Sequence, residues 1–348
     1  MPEGHSVHRI ARQFAVNFVG TAPAVTSPQG RFAQGAAILN GREMTDARAV
    51  GKQMFLEFTG DHWLRVHLGI YGAWDFAGDV QVDPSIQIHA TKFGRGRLGQ
   101  TGMAGAVDAA TPVADAGAGS GSDAVAVDEE AEDSVTSIGA PRRARVRMAE
   151  QDRSGGLLES FPPDPVGQVR VRLLNDTVCA DLRGPTACEV LTPGEVDAVI
   201  QRLGPDPANA NTEAERQRFV ERAAKKKTPI GLVLMDQSVV AGIGNVYRAE
   251  MLFRAELNPH TPANQLSETV LEEMWDDWAH LLETGITVGQ MVTIDGLTGD
   301  DYVRALQERD ERHWVYKLEG TPCKRCGTNI VLEEFGARKL YWCPGCQT

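Results

Sequence analysis

Four of the six cysteines form two pairs, Cys323-Lys-Arg-Cys326 and Cys343-Pro-Gly-Cys346, with sixteen residues between the pairs. Each Cys-x-x-Cys turn offers two thiolates, and two such turns at this separation can close a tetrahedral four-thiolate site for zinc. A closed four-thiolate shell leaves no open coordination position, so the expected role is one structural zinc ion. Cys179 and Cys188 lack such spacing and are expected to be ordinary buried thiols. A different chemistry sits at the other end of the chain. Loss of Met1 would free the secondary amine of Pro2, whose pKa lies at roughly 7.7–8.0 before perturbation, far below a lysine. Such an amine can attack a sugar aldehyde carbon, and Glu3 beside it can move the protons of that step. A third group lies in DQSVVAGIGNVYRAEMLF (236–253). Gly242 and Gly244 permit close backbone approach, and Asn245 heads a helix whose free N–H groups favour an anion such as a DNA phosphate.

Net charge first argues against nucleic acid: 35 Lys+Arg against 47 Asp+Glu give −12 in 348 residues. The acid is concentrated, however. Residues 101–141 hold Asp108, Asp115, Asp123, Asp128, Glu129, Glu130, Glu132 and Asp133 with no Lys or Arg, and the rest of the chain is near −4. Residues 216–254 carry Arg216, Arg218, Arg222, Lys225, Lys226, Lys227, Arg248 and Arg254 against Glu221, Asp236 and Glu250. That +5 stretch is expected to form a phosphate-binding face. No stretch reaches the ~20 apolar residues of a membrane span, and the N-terminus lacks the features of a secretory signal. The expected setting is the cytosol.

Local patterns supply the elements that must position these groups. Val7, Ile10, Ala11, Phe14, Ala15 and Phe18 predict a helix over 4–19, with Gly20 as its stop. From 24 to 77 the pattern is short and β-like, with a clear hairpin of MFLEF (54–58) and HWLRVHL (62–68) about Gly60-Asp61. A β-sandwich or barrel is expected there. Residues 78–165 break the pattern, with no aromatic residue between Gly94 and Phe161, and are expected to be a disordered insert. Arg142, Arg143, Arg145 and Arg147 within it are read as a solvated basic cluster. Two strands resume at 166–174 and 177–182, and Thr192 followed by Pro193 starts a helix. Gly204-Pro205-Asp206-Pro207 marks a hinge and domain boundary, followed by helices to about 285 and a β-rich metal module over 312–348. The fold class is α+β.

MPEGHSVHR at the start, GIGNVYRAE in the middle and ARKLYWCPGCQ at the end together resemble the formamidopyrimidine-DNA glycosylase/endonuclease VIII family of bifunctional DNA-repair enzymes. The resemblance spans about 1–76 and 166–348 and skips the insert. It implies an N-terminal β-sandwich with a leading helix (1–203), a helix–two-turn–helix domain (208–290) and a zinc ribbon (312–348). It implies that Pro2 is the nucleophile that displaces the damaged base and forms a Schiff base, with Glu3 as its acid/base partner. Lys52, just before the MFLEF strand, is similar to the family's lysine that assists elimination. Arg338 is similar to the zinc-ribbon arginine that holds phosphate and is implicated in the second elimination. Asn245 is similar to the family's phosphate-contacting asparagine, and Arg202 to a DNA-contacting arginine near the hinge.

A base inside a duplex cannot be reached, so the nucleotide must be flipped out and its gap filled. HLGIYGAW (67–74) resembles the endonuclease VIII segment that fills this gap, making Ile70 and Tyr71 candidate wedges. Gly69 stands where a polar residue is usual. Plain strand packing is the other reading of Ile70 and Tyr71. His5 and His8, on the first turns of the leading helix, are expected to be exposed or structural. The implied activity is removal of oxidised bases, pyrimidines favoured, with β/δ-elimination at abasic sites, by a monomer acting on damaged duplex DNA. An oxidised-purine glycosylase and a damage-binding protein without turnover remain open alternatives. The acidic insert is expected to compete with DNA for the basic face.

Overall fold

The computed structural model describes residues 2–86, 137–139 and 161–348. Helix α1 (Gly4–Phe18) follows the predicted periodicity, yet most of its residues are buried, because it lies between two partners. One side packs into the sandwich, where Phe14 meets Trp74 at 4.7 Å and Phe76 at 5.2 Å between ring centroids. The other faces the long helix of the second domain.

The sandwich has two antiparallel sheets. One runs in the order β1 (Ala24–Thr26), β7 (Val169–Leu174), β8 (Val178–Arg183), β5 (Ala73–Gly78), β6 (Ser137–Gly139). The other runs β2 (Met44–Val50), β3 (Gln53–Phe58), β4 (His62–His67), β9 (Ala187–Leu191). Alternating apolar residues such as Met54, Leu56 and Phe58, and Val171 and Leu173, join α1 in one core. The β3–β4 turn places Gly60 and Asp61 at positive φ, the backbone that Gly and Asp tolerate best.

Three sequence expectations change. Region 24–77 also contains a helix, α2 (Ala33–Leu39), and β9 had no counterpart in the sequence reading. The expected insert 78–165 contributes β6, whose Ser137–Gly139 pairs with β5 through Asp75–Ala73. The eight acidic residues at 108–133 and the basic cluster 142–147 lie outside the described residues.

Helix α3 (Pro193–Gln201) starts with a capping box between Thr192 and Glu195. The second domain contains α4 (Glu213–Ala224), the short α5 (Ile230–Val233), α6 (Asn245–Arg254) and α7 (Glu268–Val288). Phe219, Tyr247, Trp275 and Trp278 anchor its core. VVAGIG is a set of turns, and α6 begins at Asn245, where the sequence places a helix start. Residues Asn245–Phe253 of α6 are all buried. Tyr247, Met251 and Leu252 face the helical core, whereas Ala249 and Phe253 pack on Val315, Leu340 and Tyr341 of the cysteine module. Two further helices, α8 (Gly299–Gln307) and α9 (Arg309–Arg312), precede that module, and β10 (Val331–Glu334) and β11 (Lys339–Trp342) form its hairpin. No helix among the described residues is long and apolar enough to cross a membrane.

Candidate active site

The chain start, the β2–β3 turn and the turn entering α6 meet at one buried place. Glu3 is 0% exposed, and its carboxylate accepts N–H bonds from Gly244 (2.9 Å), Val246 (2.9 Å) and Tyr247 (3.4 Å). These are N–H groups at the start of α6, which have no partner within the helix, and the helix dipole adds to the attraction. The anion at this helix start is therefore Glu3, which corrects the expectation that these N–H groups receive a DNA phosphate. The adjoining Gly4 N–H donates to Gly242 O at 2.9 Å, tying the chain start to the same turn. Pro2 is buried next to it.

Gly51-Lys52 is a two-residue turn, since Val50 pairs with Gln53. Gly51 has φ +57°, and a Cβ there would lie 2.7 Å from Ala241 Cβ and 2.9 Å from Gly242 N. Only glycine lets this turn press against the 241–244 segment. Lys52 Nζ then donates to Ile243 O at 2.6 Å, one residue from the Gly244 N–H that Glu3 holds. Burial pushes the Lys52 ammonium below its ordinary pKa, an effect opposed by Glu3 and reinforced by Arg338. His67 faces Gln53 across the β3–β4 ladder, and burial, Lys52 and Arg65 lower its pKa in turn.

Arg338 is exposed in the β10–β11 turn, where its carbonyl accepts from Phe335 N–H at 2.8 Å. Asn245 is 7% exposed and joins α6 to that turn: Nδ2 donates to Lys339 O at 2.7 Å, and Oδ1 accepts from Arg248 Nη2 at 2.6 Å. Arg202 lies outside this convergence, exposed at the end of α3 with Nε donating to Ala198 O. Ile70 and Tyr71 stand 45% and 55% exposed in the β4–β5 turn, which excludes the strand-packing reading.

The expected basic face is largely neutralised. Arg216 pairs with Asp276, Arg218 with Glu215, Lys226 with Asp236, and Arg254 with Asp277 and Asp295. Arg248 is buried, and Arg222 donates to the Leu203 and Ser238 carbonyls. Counting charge along the chain misses acids that folding brings alongside from α7 and the loop after it. Lys225 and Lys227 are its exposed lysines.

One feature had no signal in the sequence. Asp206, inside the expected hinge, is buried and accepts from His8 Nε2 (2.8 Å), Gly51 N–H (2.6 Å) and Asn209 Nδ2 (3.1 Å). Gly204 through Pro207 are all buried, so this segment fastens α1, the Lys52 turn and the second domain together. His5 and His8 are buried rather than exposed, His5 edge-on to Tyr247 and His8 on Asp206. Their structural role was one of the two readings offered.

The four paired cysteines meet as predicted. All four Sγ atoms lie within 4.8 Å of one another, with Cys323–Cys346 at 3.9 Å and Cys326–Cys343 at 3.4 Å. Zinc–sulfur bonds of about 2.3 Å in a tetrahedron place sulfurs about 3.8 Å apart, so the set fits one structural zinc ion. Cys179 is buried and Cys188 half-buried, and burial raises both thiols to about 12.

Three family models match in chain order: the formamidopyrimidine-DNA glycosylase N-terminal domain over 1–103, its H2TH domain over 203–295, and the zinc finger found in FPG and IleRS over 320–348. The chain is 32% identical over its full length, and the full length of the relative, to Endonuclease 8 1 of Mycobacterium tuberculosis. Formamidopyrimidine-DNA glycosylase of Streptococcus pneumoniae is 35% identical over 175 residues, 49% of this chain and 61% of that protein. A Lactococcus lactis FPG mutant in complex with a Fapy-dG containing DNA shares the fold, with TM-score 0.62 at 19% identity over both whole chains. MutM (Fpg) from Thermus thermophilus does so with TM-score 0.60 at 20% identity, over 99% of this chain and 98% of that one.

Proposed function

Because this chain belongs to the formamidopyrimidine-DNA glycosylase/endonuclease VIII family of base-excision-repair glycosylases, we propose that it excises oxidised pyrimidines from duplex DNA through Pro2 and then cuts the abasic strand. The observation that carries this reading is the burial of Pro2 and Glu3 against the start of α6, with Lys52 held one residue away on Ile243 O. A nucleophile, a proton carrier and a lysine whose pKa is lowered are the parts that the chemistry requires.

In the proposed sequence, the Pro2 nitrogen forms a bond to the sugar C1′ as the glycosidic bond breaks and the base leaves with a proton. The C1′–O4′ bond then breaks to give the iminium, with Glu3 and Lys52 taking the proton that the Pro2 nitrogen loses and supplying one to the opened ring oxygen. The resulting iminium acidifies the C2′ hydrogen. Its removal expels the 3′ phosphate by β-elimination, and a second elimination, aided by Arg338, expels the 5′ phosphate. Asn245, Arg202 and Arg338 contact phosphates, and Ile70 and Tyr71 fill the gap left by the flipped nucleotide. The zinc ion holds the hairpin that carries Arg338 in shape. The sandwich with α1 (1–203) is the catalytic domain, 208–290 the DNA-binding helical domain and 312–348 the ribbon, in a cytosolic monomer. The preference for pyrimidines rests on the whole-length likeness to endonuclease 8 and on the exposed Ile70-Tyr71 pair.

The test is a cleavage panel on duplexes bearing an abasic site, an oxidised pyrimidine or an oxidised purine, with borohydride trapping. The expected result is covalent trapping at Pro2, abolished by retained Met1 and reduced by Pro2→Gly, with the pyrimidine lesion excised fastest. Equal trapping by Pro2→Gly would refute the mechanism, and faster purine excision would refute the preference.

A further inference from the structure

Arg248 is fully buried, and its hydrogen-bond partners are uncharged. Nη2 donates to Asn245 Oδ1 at 2.6 Å and to Lys339 O at 3.2 Å, while Nη1 donates to Phe335 O at 3.3 Å and Gly231 O at 3.5 Å. Phe335 and Lys339 are the two ends of the β10–β11 turn, with Arg338 between them. One guanidinium therefore spans the base of the turn that carries Arg338.

The same group decides which way Asn245 points. A guanidinium only donates, so the Asn245 atom facing it must be the carbonyl oxygen. The N–H2 edge is consequently turned toward the hairpin, where it meets Lys339 O. We propose that Arg248 is a positioning residue that sets two phosphate contacts at once, fixing the N–H2 edge of Asn245 and the turn of Arg338 in one arrangement. This rests on the reading above, in which Asn245 and Arg338 meet DNA phosphates. Burial pushes the Arg248 guanidinium down to about 10, with Arg338 adding to the fall and Glu3 opposing it, so it stays charged at neutral pH. A lysine cannot replace it, because one ammonium on a flexible stem does not reproduce a planar fork reaching four separated oxygens.

The experiment measures binding of the full-length, zinc-loaded protein to duplex DNA bearing a tetrahydrofuran abasic analogue, as a function of salt. Arg248→Lys and Arg248→Gln are each expected to weaken binding by roughly tenfold, the scale of one lost charge-assisted contact. Because Arg248 is itself buried away from phosphate, any change in salt slope must arise through Arg338. The log–log slope should become shallower by about one, as it does for Arg338→Ala. The double variant Arg248→Lys/Arg338→Ala should bind no more weakly than Arg248→Lys alone, since that substitution already releases the Arg338 contact.

Wild-type affinity and slope in Arg248→Lys would overturn the proposal. So would a loss of affinity with the slope unchanged, or losses that add in the double variant. Should Arg248→Gln fail to fold, Arg248→Lys, which keeps the charge, decides the matter. Wild-type affinity in both Arg338→Ala and Asn245→Ala would overturn the underlying reading, and this proposal with it, whatever Arg248 does.

Discussion

Glu3 and Gly244 occupy one space: the carboxylate accepts the Gly244 N–H at 2.9 Å, and a Cβ on residue 244 would overlap the Glu3 carboxyl. The backbone at 244 has an ordinary extended conformation, with φ −119°. Glycine is required there for room, not for backbone freedom. Gly244→Ala is therefore expected to displace Glu3 and to lower base excision by about a hundredfold, the scale of losing one acid/base group. Single-turnover rates on a lesion duplex check this. A rate within threefold of wild type would show that the Glu3 position is not critical.

Ile70 and Tyr71 separate stability from function. Both are exposed, so replacing either with alanine should change the unfolding free energy by no more than about 0.5 kcal/mol. Excision from duplex DNA should nevertheless fall at least tenfold, because the gap left by a flipped nucleotide goes unfilled. Chemical denaturation paired with excision kinetics measures both. Unchanged excision would remove the wedge assignment.

Metal removal should act through packing. The cysteine module shares its core with Ala249 and Phe253 of α6, so loss of zinc exposes that face. Chelation, or Cys343→Ser, is expected to release one equivalent of zinc and shift the fluorescence of Trp314 and Trp342, both packed on this core. DNA affinity should fall at the same time. Zinc release without loss of affinity would separate the ribbon from DNA binding.

Stability should depend on pH through His5. Burial, reinforced by nearby positive charge, pushes its pKa from 6.5 to about 3, so the folded protein holds it neutral while the unfolded chain protonates it. The unfolded state binds the extra proton between these values. Stability is thus fully present above about pH 6.5 and is lost as pH falls toward 3, by at most about 1.4 kcal/mol per pH unit. His5→Phe should flatten that part of the slope, measured by denaturant melts between pH 6.5 and 4. His313, whose pKa is also lowered by burial, leaves a residual slope of the same sign. An unchanged slope in His5→Phe would exclude this origin.

Much of this protein was legible in local pattern. The two Cys-x-x-Cys turns, the α1 periodicity, the Gly60-Asp61 hairpin and the Thr192 cap each follow from residues within a few positions of one another, where backbone geometry and ligand chemistry act directly. The Pro2, Glu3, Asn245 and Arg338 positions were proposed from motif and family likeness, without their partners. Folding decided those partners. It placed Glu3 where a phosphate had been expected, on N–H groups 241 to 244 residues away in sequence. It paired much of the basic stretch 216–254 with carboxylates, among them Asp276, Asp277 and Asp295 from beyond that stretch, and it tied the Asp206 segment to His8 and Gly51. It also made Arg248 a buried clamp on the Arg338 turn. The physical reason is common to all four: a charge or a glycine states what it needs, but the donor, acceptor or close neighbour that satisfies it comes from a distant segment, and only packing brings the two together.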